Sequence, residues 1–253
     1  MIAVLLCAGY ATRLYPLTRS FPKPLLPVAD KPVIDYLVDQ IAVLPAIDTL
    51  HIVTNAKFYN HFRKWAAHKT AAGTVPIPII IHDDGTSCNA HRLGAVADLQ
   101  FVLKTLPSPQ PMLVAAADNI FRFSFAGLWQ RFMREKCHLV VALPQYDRRK
   151  LKKTGVLALN DVDRVLRLHE KPIDPPSTWS CPPLYFLRPS AIEHLDTLLA
   201  TENQPDAPGH FIEYLCCRET VMAQKLEGTR LDIGDIDSYR DADKRLRCEP
   251  LFP

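Results

Sequence analysis

Apolar and polar positions alternate along this chain in blocks. Residues 2–8 form an unbroken apolar run that stops at Gly9, which predicts a strand buried on both faces. A stretch holding Pro16, Pro22, Pro24, Pro27 and Pro32 follows. Its missing N–H groups exclude a regular helix or a central strand and predict a shaped loop. Val33, Leu37, Ile41 and Leu44 then recur on one face, predicting a helix over 33–44. Further strands are predicted at 51–55, 77–82, 112–117 and 138–143, with helices over 61–69, 93–106 and 125–136 between them. Such alternation predicts parallel β-α-β units, hence an α/β fold: a doubly wound, Rossmann-like, mainly parallel sheet flanked by helices. Ligands of such sheets sit beyond the carboxyl ends of the strands. Gly9, Asp83-Asp84-Gly85 and Asp118-Asn119 all follow predicted strands and therefore share one rim.

Beyond about residue 145 the rhythm changes. A hairpin is expected from 155–159 and 164–169 around Asn160-Asp161, then a strand at 184–187 and helices over 190–200 and 210–219. One or two strands are expected within 221–232 around a Glu227-Gly228 turn, and a last helix over 238–247. No internal repeat, low-complexity segment or long linker interrupts the chain. The expectation is one domain over 1–253, with halves of about 1–145 and 146–253.

Composition removes several function classes. The 253 residues are 48% apolar and 23% charged, as in an ordinary globular protein. A net charge of only +3 argues against a general nucleic-acid binder, though it leaves room for a few cations around a phosphate ligand. The longest apolar runs are too short to span a bilayer, and no signal peptide is visible, so neither a membrane nor a nucleic-acid partner is expected. Seven scattered cysteines without a C-x-x-C pair read as reduced thiols of a cytoplasmic protein. Cys7 fits a buried core thiol better than a nucleophile. The nine histidines show no metal-ligand spacing beside an acid, and His169 reads as structural. The sequence leaves open whether the chain forms a homo-oligomer.

Five segments carry candidate chemistry. In Ala8-Gly9-Tyr10-Ala11-Thr12-Arg13 a buried strand feeds a turn of small residues, which lets backbone N–H groups approach phosphate oxygens. Arg13 offers a planar fork for phosphates, and Lys23, between Pro22 and Pro24, a point charge. A dinucleotide fingerprint would need G-x-G-x-x-G, and only Gly9 is present. Asp118, at a strand end in Ala117-Asp118-Asn119-Ile120-Phe121, is placed to hold Mg²⁺, or reads alone as half of a turn-forming pair. Asp232 in Leu231-Asp232-Ile233-Gly234-Asp235 is otherwise an ordinary loop acid. His169-Glu170-Lys171-Pro172 is otherwise a solvated ion pair. The segment from His82 to Ala95, with Asp84, Gly85 and Gly94, is otherwise a helix-capping loop.

Taken in order, these segments resemble the sugar-phosphate nucleotidyltransferases, the family of glucose-1-phosphate thymidylyl- and uridylyltransferases. The likeness runs through Gly9 to Thr18, Pro22 to Val28 and Lys31-Pro32, with Ala8 and Ala11 where many members carry glycine. It implies a nucleotide-facing first half and an acceptor-facing second half. It also implies Mg²⁺ on Asp118 and Asp232, nucleotide contacts from residues 8–13 with Asp84, Gly85 and Gly94, and sugar-phosphate contacts from Gly155, Glu170 and Lys171. Arg13, Lys23 and Lys171 would be the catalytic cations. The implied reaction is in-line displacement by a sugar 1-phosphate on a nucleoside triphosphate. Two readings compete with it: transfer to another phosphate such as phosphocholine, and a non-catalytic nucleotide-sugar-binding regulator. The usual Gln of the base-recognition segment is missing, and Pro183-Leu184-Tyr185-Phe186 stands for the usual G-L-Y-F. Neither base nor sugar is therefore named by the sequence.

Overall fold

A computed structural model describes residues 1–200 and 205–249. Its strands are β1 (Ile2–Leu6), β2 (Pro27–Val28), β3 (Lys31–Pro32), β4 (Thr49–Thr54), β5 (Ile79–Asp83), β6 (Met112–Ala116) and β7 (Asn119–Phe121). They continue as β8 (His138–Pro144), β9 (Gly155–Leu159), β10 (Val165–Glu170), β11 (Trp179–Cys181), β12 (Leu184–Leu187), β13 (Val221–Lys225) and β14 (Arg230–Asp232). The helices are α1 (Val33–Ala42), α2 (Tyr59–Ala71), α3 (Ala95–Leu103), α4 (Ala126–Arg134), α5 (Arg148–Leu151), α6 (Ala191–Leu199), α7 (Pro208–Leu215) and α8 (Ile236–Cys248).

β1 lies inside the main sheet, between β6 and β4, and both its faces are apolar. Ala3 and Leu5 pack into one core with Ile34 and Leu37 of α1, Phe62 of α2 and Phe132 of α4. Ile2 and Val4 pack into the opposite core with Val96 and Leu99 of α3, Leu195 of α6 and Phe211 of α7. β1 runs parallel to β4 and β6, and β4 parallel to β5. On the other side β12 is antiparallel to both β6 and β8, while β13 is parallel to β8. β1, β4, β5 and β6 thus form the parallel core that the alternation predicts, inside a mixed, Rossmann-like sheet in which β12 opposes both its neighbours.

Two departures from the pattern matter. β11 and β12 both pair with one strand, β8, but are separated by Pro182-Pro183. These residues have no N–H to give to a ladder. Past them β12 continues against β6, whereas β11 pairs with β9, so the β9–β10 hairpin forks from the end of the sheet. The second concerns 221–232: two strands flank Glu227-Gly228, as expected, but β13 and β14 do not pair with each other. β14 crosses over to pair with β7. Gly228 makes the crossing compact, since a Cβ there would stand 2.7 Å from Phe123 Cδ1. Among the described residues no helix is long and apolar enough to cross a membrane.

Candidate active site

The loop after β1 is held by buried polar residues. Asn55, fully buried, donates its amide to the Ala8 carbonyl at 2.8 Å and accepts from the Phe58 N–H. Ala11 takes a left-handed conformation, φ 48° and ψ 44°, which opens a short helical turn over Thr12–Leu14. That conformation disfavours any residue with a Cβ. It is supported by the buried Thr18 hydroxyl, which donates to the Ala11 carbonyl at 2.7 Å, and by burial of Leu14. Gly9 is exposed at the tip, and Tyr10 turns inward to hydrogen-bond Thr86 at 3.1 Å. Burial, with the charges of Asp118 and Asp98, raises the Cys7 thiol well above its usual pKa, which suits a core thiol and not a nucleophile.

The crossing of β14 brings the two candidate acids together. Asp232 pairs with Asn119 across the β7–β14 ladder, and the Ile233 N–H donates to the Asp118 carbonyl at 3.0 Å. Lys23 reaches the same point from the loop, its ammonium donating to Asp118 Oδ2 at 2.6 Å and to the Ile233 carbonyl at 3.0 Å. Asn119 donates to Asp118 Oδ1 at 2.7 Å. Burial pushes the Asp118 carboxyl up, but the charge and hydrogen bond of Lys23, helped by Arg230, outweigh it and hold the pKa below the usual range. Asp232 goes the other way. Although it has an exposed edge, the protein around it and then the Asp118 charge raise its pKa. Arg13 is exposed, makes no hydrogen bond or ion pair among the described residues, and lies near enough to Asp232 for its charge to act against the rise in that pKa.

Among the described residues no group of three or more His, Cys, Asp or Glu could hold a metal alone. Two carboxylates with an ammonium already seated on one of them suit a different kind of ion. Magnesium takes one or two carboxylates and completes its shell with water and ligand phosphates. The donor set fits it, and Lys23 marks the position as one that attracts a cation.

A cleft of about 290 Å³ opens between the Ala8–Ala11 loop, Lys23 and Asp118 on one side and the Asn89–Asp98 segment on the other. Gly94 lies on its wall at φ 91°, where a Cβ would come within 3.2 Å of the Asp206 backbone. The Ala95 N–H donates to the Asp206 carbonyl, and Arg92 pairs with the Asp206 carboxylate at 2.8 Å. Asp98, one turn into α3, also lines the cleft and is only 5% exposed. Burial, then the charge and hydrogen bond of Asp84 and the charge of Asp206, push its pKa up to about 8. A carboxyl protonated in the folded state and ionised in the unfolded one stabilises fully below the unfolded pKa and loses that contribution as pH rises through the folded value. Stability should therefore decline from about pH 4 to pH 8 through this group. Asp98→Asn, which cannot ionise, should flatten that decline and melt higher than the wild type at pH 8, as thermal unfolding across pH will show.

The forked hairpin carries a further group of predicted residues, Gly155, Glu170 and Lys171, none of which is on the lining of the cleft. Glu170 ends β10 with its carboxylate between Gly155 and Gly209. A Cβ on Gly155 would stand 3.3 Å from Glu170 Oε2, and one on Gly209 would overlap it. Burial raises the Glu170 pKa, against the opposing charge of Lys171. Lys171 has a positive φ of 48°, its N–H donates to the Thr154 carbonyl at 3.2 Å, and its exposed ammonium lies 3.6 Å from Glu170. Arg230 links β7 to the start of the hairpin, donating to Asn119 Oδ1 at 2.9 Å and to Thr154 Oγ1 at 3.0 Å.

Of the predicted residues, Ala8, Gly9, Tyr10, Ala11, Lys23, Gly94 and Asp118 line the cleft. Thr12 and Arg13 are exposed beside it. Asp84 and Gly85 belong to the loop after β5, and Asp84 stands behind Asp98 rather than on the wall. Gly155, Glu170 and Lys171 gather on the hairpin. The sequence reading passed over Asp98 and Arg230. Asp98 carried one signal: it follows Gly94 by four residues, which puts both on one helix face.

The chain is similar to known proteins over nearly its whole length. The family model described as nucleotidyl transferase matches residues 2–249. The chain is 28% identical over 253 residues to the UTP–glucose-1-phosphate uridylyltransferase AglF of Haloferax volcanii, covering 98% of each. It is 25% identical over 250 residues to the bifunctional protein GlmU of Methanocaldococcus jannaschii, spanning 97% of this chain but only 54% of that relative. A crystal structure of UDP-glucose pyrophosphorylase complexed with UDP-glucose has the same fold, with a TM-score of 0.82, 20% identity, and coverage of 98% of this chain and 100% of that one.

Proposed function

The chain belongs to the nucleotidyl transferase family, and from that membership we propose that it joins a nucleoside triphosphate to a sugar 1-phosphate, forming a nucleoside diphosphate sugar and releasing pyrophosphate. The observation that carries the reading is the meeting of Lys23, Asp118 and the β14 segment bearing Asp232 at the rim of the cleft. Similarity to a sugar-phosphate uridylyltransferase over nearly the whole chain supports it.

In this reading an oxygen of the sugar phosphate attacks the α-phosphorus, the bond to the β-phosphate oxygen breaks, and pyrophosphate leaves in line. The nucleophile is already an anion, so positioning and charge stabilisation do the work and no strong base is required. Arg13, exposed and without a hydrogen-bond or ion-pair partner among the described residues, holds the leaving pyrophosphate. Lys23 neutralises the reacting phosphates. Lys171 holds the incoming sugar phosphate and relieves repulsion between the two anions, while Glu170, fixed between two glycines, faces the sugar. Mg²⁺ held by Asp118 and Asp232 would add charge neutralisation on the nucleotide phosphates.

The test is turnover of a matrix of nucleoside triphosphates and phosphorylated acceptors with Mg²⁺, followed by pyrophosphate release. Phosphocholine is included as the non-sugar acceptor. Activity with at least one sugar 1-phosphate is expected, and its absence from every combination overturns the proposal. Lys171→Ala should raise KM for the sugar phosphate by about 10–100-fold, the loss expected for a charged hydrogen bond. KM for the nucleotide should stay near the wild-type value, and an unchanged sugar-phosphate KM removes Lys171 from the site.

A further inference from the structure

Asp98 and Asp84 form a pair that the reaction above does not use. Asp98 Oδ1 and Asp84 Oδ2 are both buried without a hydrogen-bond donor, although the two side chains are within hydrogen-bonding reach of each other. Two carboxyl oxygens face each other stably only with a proton between them. The other Asp84 oxygen is taken, accepting from the Thr86 N–H at 2.7 Å. Among the described residues, Asp98 Oδ2 alone of the four oxygens is neither hydrogen-bonded nor sealed off, which leaves it as the oxygen available to the cleft that Asp98 lines. With the shared proton on the buried side, this oxygen is an acceptor and cannot donate.

Its surroundings do not change that character. Arg92, the cation on this wall, directs its guanidinium to Asp206 and the Asn89 carbonyl. The Tyr10 hydroxyl is engaged with Thr86. A ligand carbonyl brought to Asp98 would meet an acceptor, whereas an amine would meet its partner.

Resting on the nucleotidyltransferase reading, we propose that Asp98, backed by Asp84, is the base-selecting residue of the cleft, and that it favours a nucleobase with an exocyclic amine over the two-carbonyl edge of uracil or thymine. This choice would separate the chain from the uridylyltransferase to which it is similar.

The test is calorimetric binding of ATP, GTP, CTP, UTP and dTTP to the full chain, run beside the turnover matrix. At least one of ATP, GTP and CTP should bind about 10–100-fold more tightly than UTP and dTTP, the range for an unmatched buried acceptor. Asp98→Asn should keep the preference, because its amide can donate to Asp84 while its carbonyl faces the cleft. Asp98→Leu should abolish it. If Asp98→Leu does not unfold cooperatively, the wild-type series and Asp98→Asn still decide. Tightest binding of UTP or dTTP by a protein that turns over overturns this inference alone. An amine preference without turnover overturns the catalytic reading alone, and no binding of any triphosphate overturns both.

Discussion

Asp118→Asn is expected to lower turnover by about 10³-fold or more while leaving the fold intact, and Asp232→Asn to do the same. The fold should survive because each substitution keeps the size of the side chain and the backbone pairing around it, although Asp118→Asn takes the carboxylate from Lys23 and should cost a little stability. In Asp118→Asn the Lys23 ammonium keeps the Ile233 carbonyl and gains an amide oxygen in place of the carboxylate. The same change relieves Asp232 of the neighbouring charge that raises its pKa. In Asp232→Asn the β7–β14 pairing, made by backbone, is untouched. The loss should therefore fall on the chemistry. Together the two acids offer one divalent ion its protein ligands, and without one of them its charge is poorly held at the phosphates. The measurements are kcat with increasing Mg²⁺ and the melting temperature of each variant. Full activity in both variants would refute the metal assignment, and melting temperatures near the wild-type value with lost turnover would support it.

What the sequence made legible, and what it hid, follows from how local each signal is. β1 and the loop after it are one continuous segment, so the apolar run, Gly9, Arg13 and Lys23 could be read together. Asp118 and Asp232 each lay in a readable motif, yet their meeting depends on two three-residue strands, β7 and β14. Strands that short have no periodicity to detect, and nothing local to Glu227-Gly228 shows that the strand after it crosses to β7. β11 was hidden in the same way, bounded by the prolines that fork the sheet. Arg230 reads as a solvated charge until β14 sets it between Asn119 and Thr154. An acid within an amphipathic helix reads as solvent-facing, so Asp98 disappeared into the pattern of α3. Its function-bearing character comes from Asp84, on a different loop, and no spacing rule connects the two.

Lys23→Met should be the most informative substitution, because it removes the one group bonded to Asp118, to the Ile233 backbone and, in the proposed reaction, to phosphate. Turnover should fall by about 10²–10³-fold, as when one preorganised charge donor is lost. Stability should fall as well. The Lys23 side chain is 13% exposed and that of Asp118 31% exposed, so the loss should lie below the roughly 3–5 kcal/mol of a fully buried broken pair. Its pH dependence identifies the cause. In the wild type the Asp118 pKa is depressed, so this pair stabilises the fold above the ordinary carboxylate pKa and loses that contribution as pH falls through the lowered value. Without Lys23 the burial of Asp118 and its repulsion with Asp232 go unopposed by the ammonium, and the Asp118 pKa rises. The gap in melting temperature between wild type and Lys23→Met should therefore be wide at pH 7 and close only as pH falls through the lowered Asp118 value. A gap that stays constant across this range would mean that Lys23 supports the loop through packing alone, and that its bond to Asp118 does not hold the two halves of the site together.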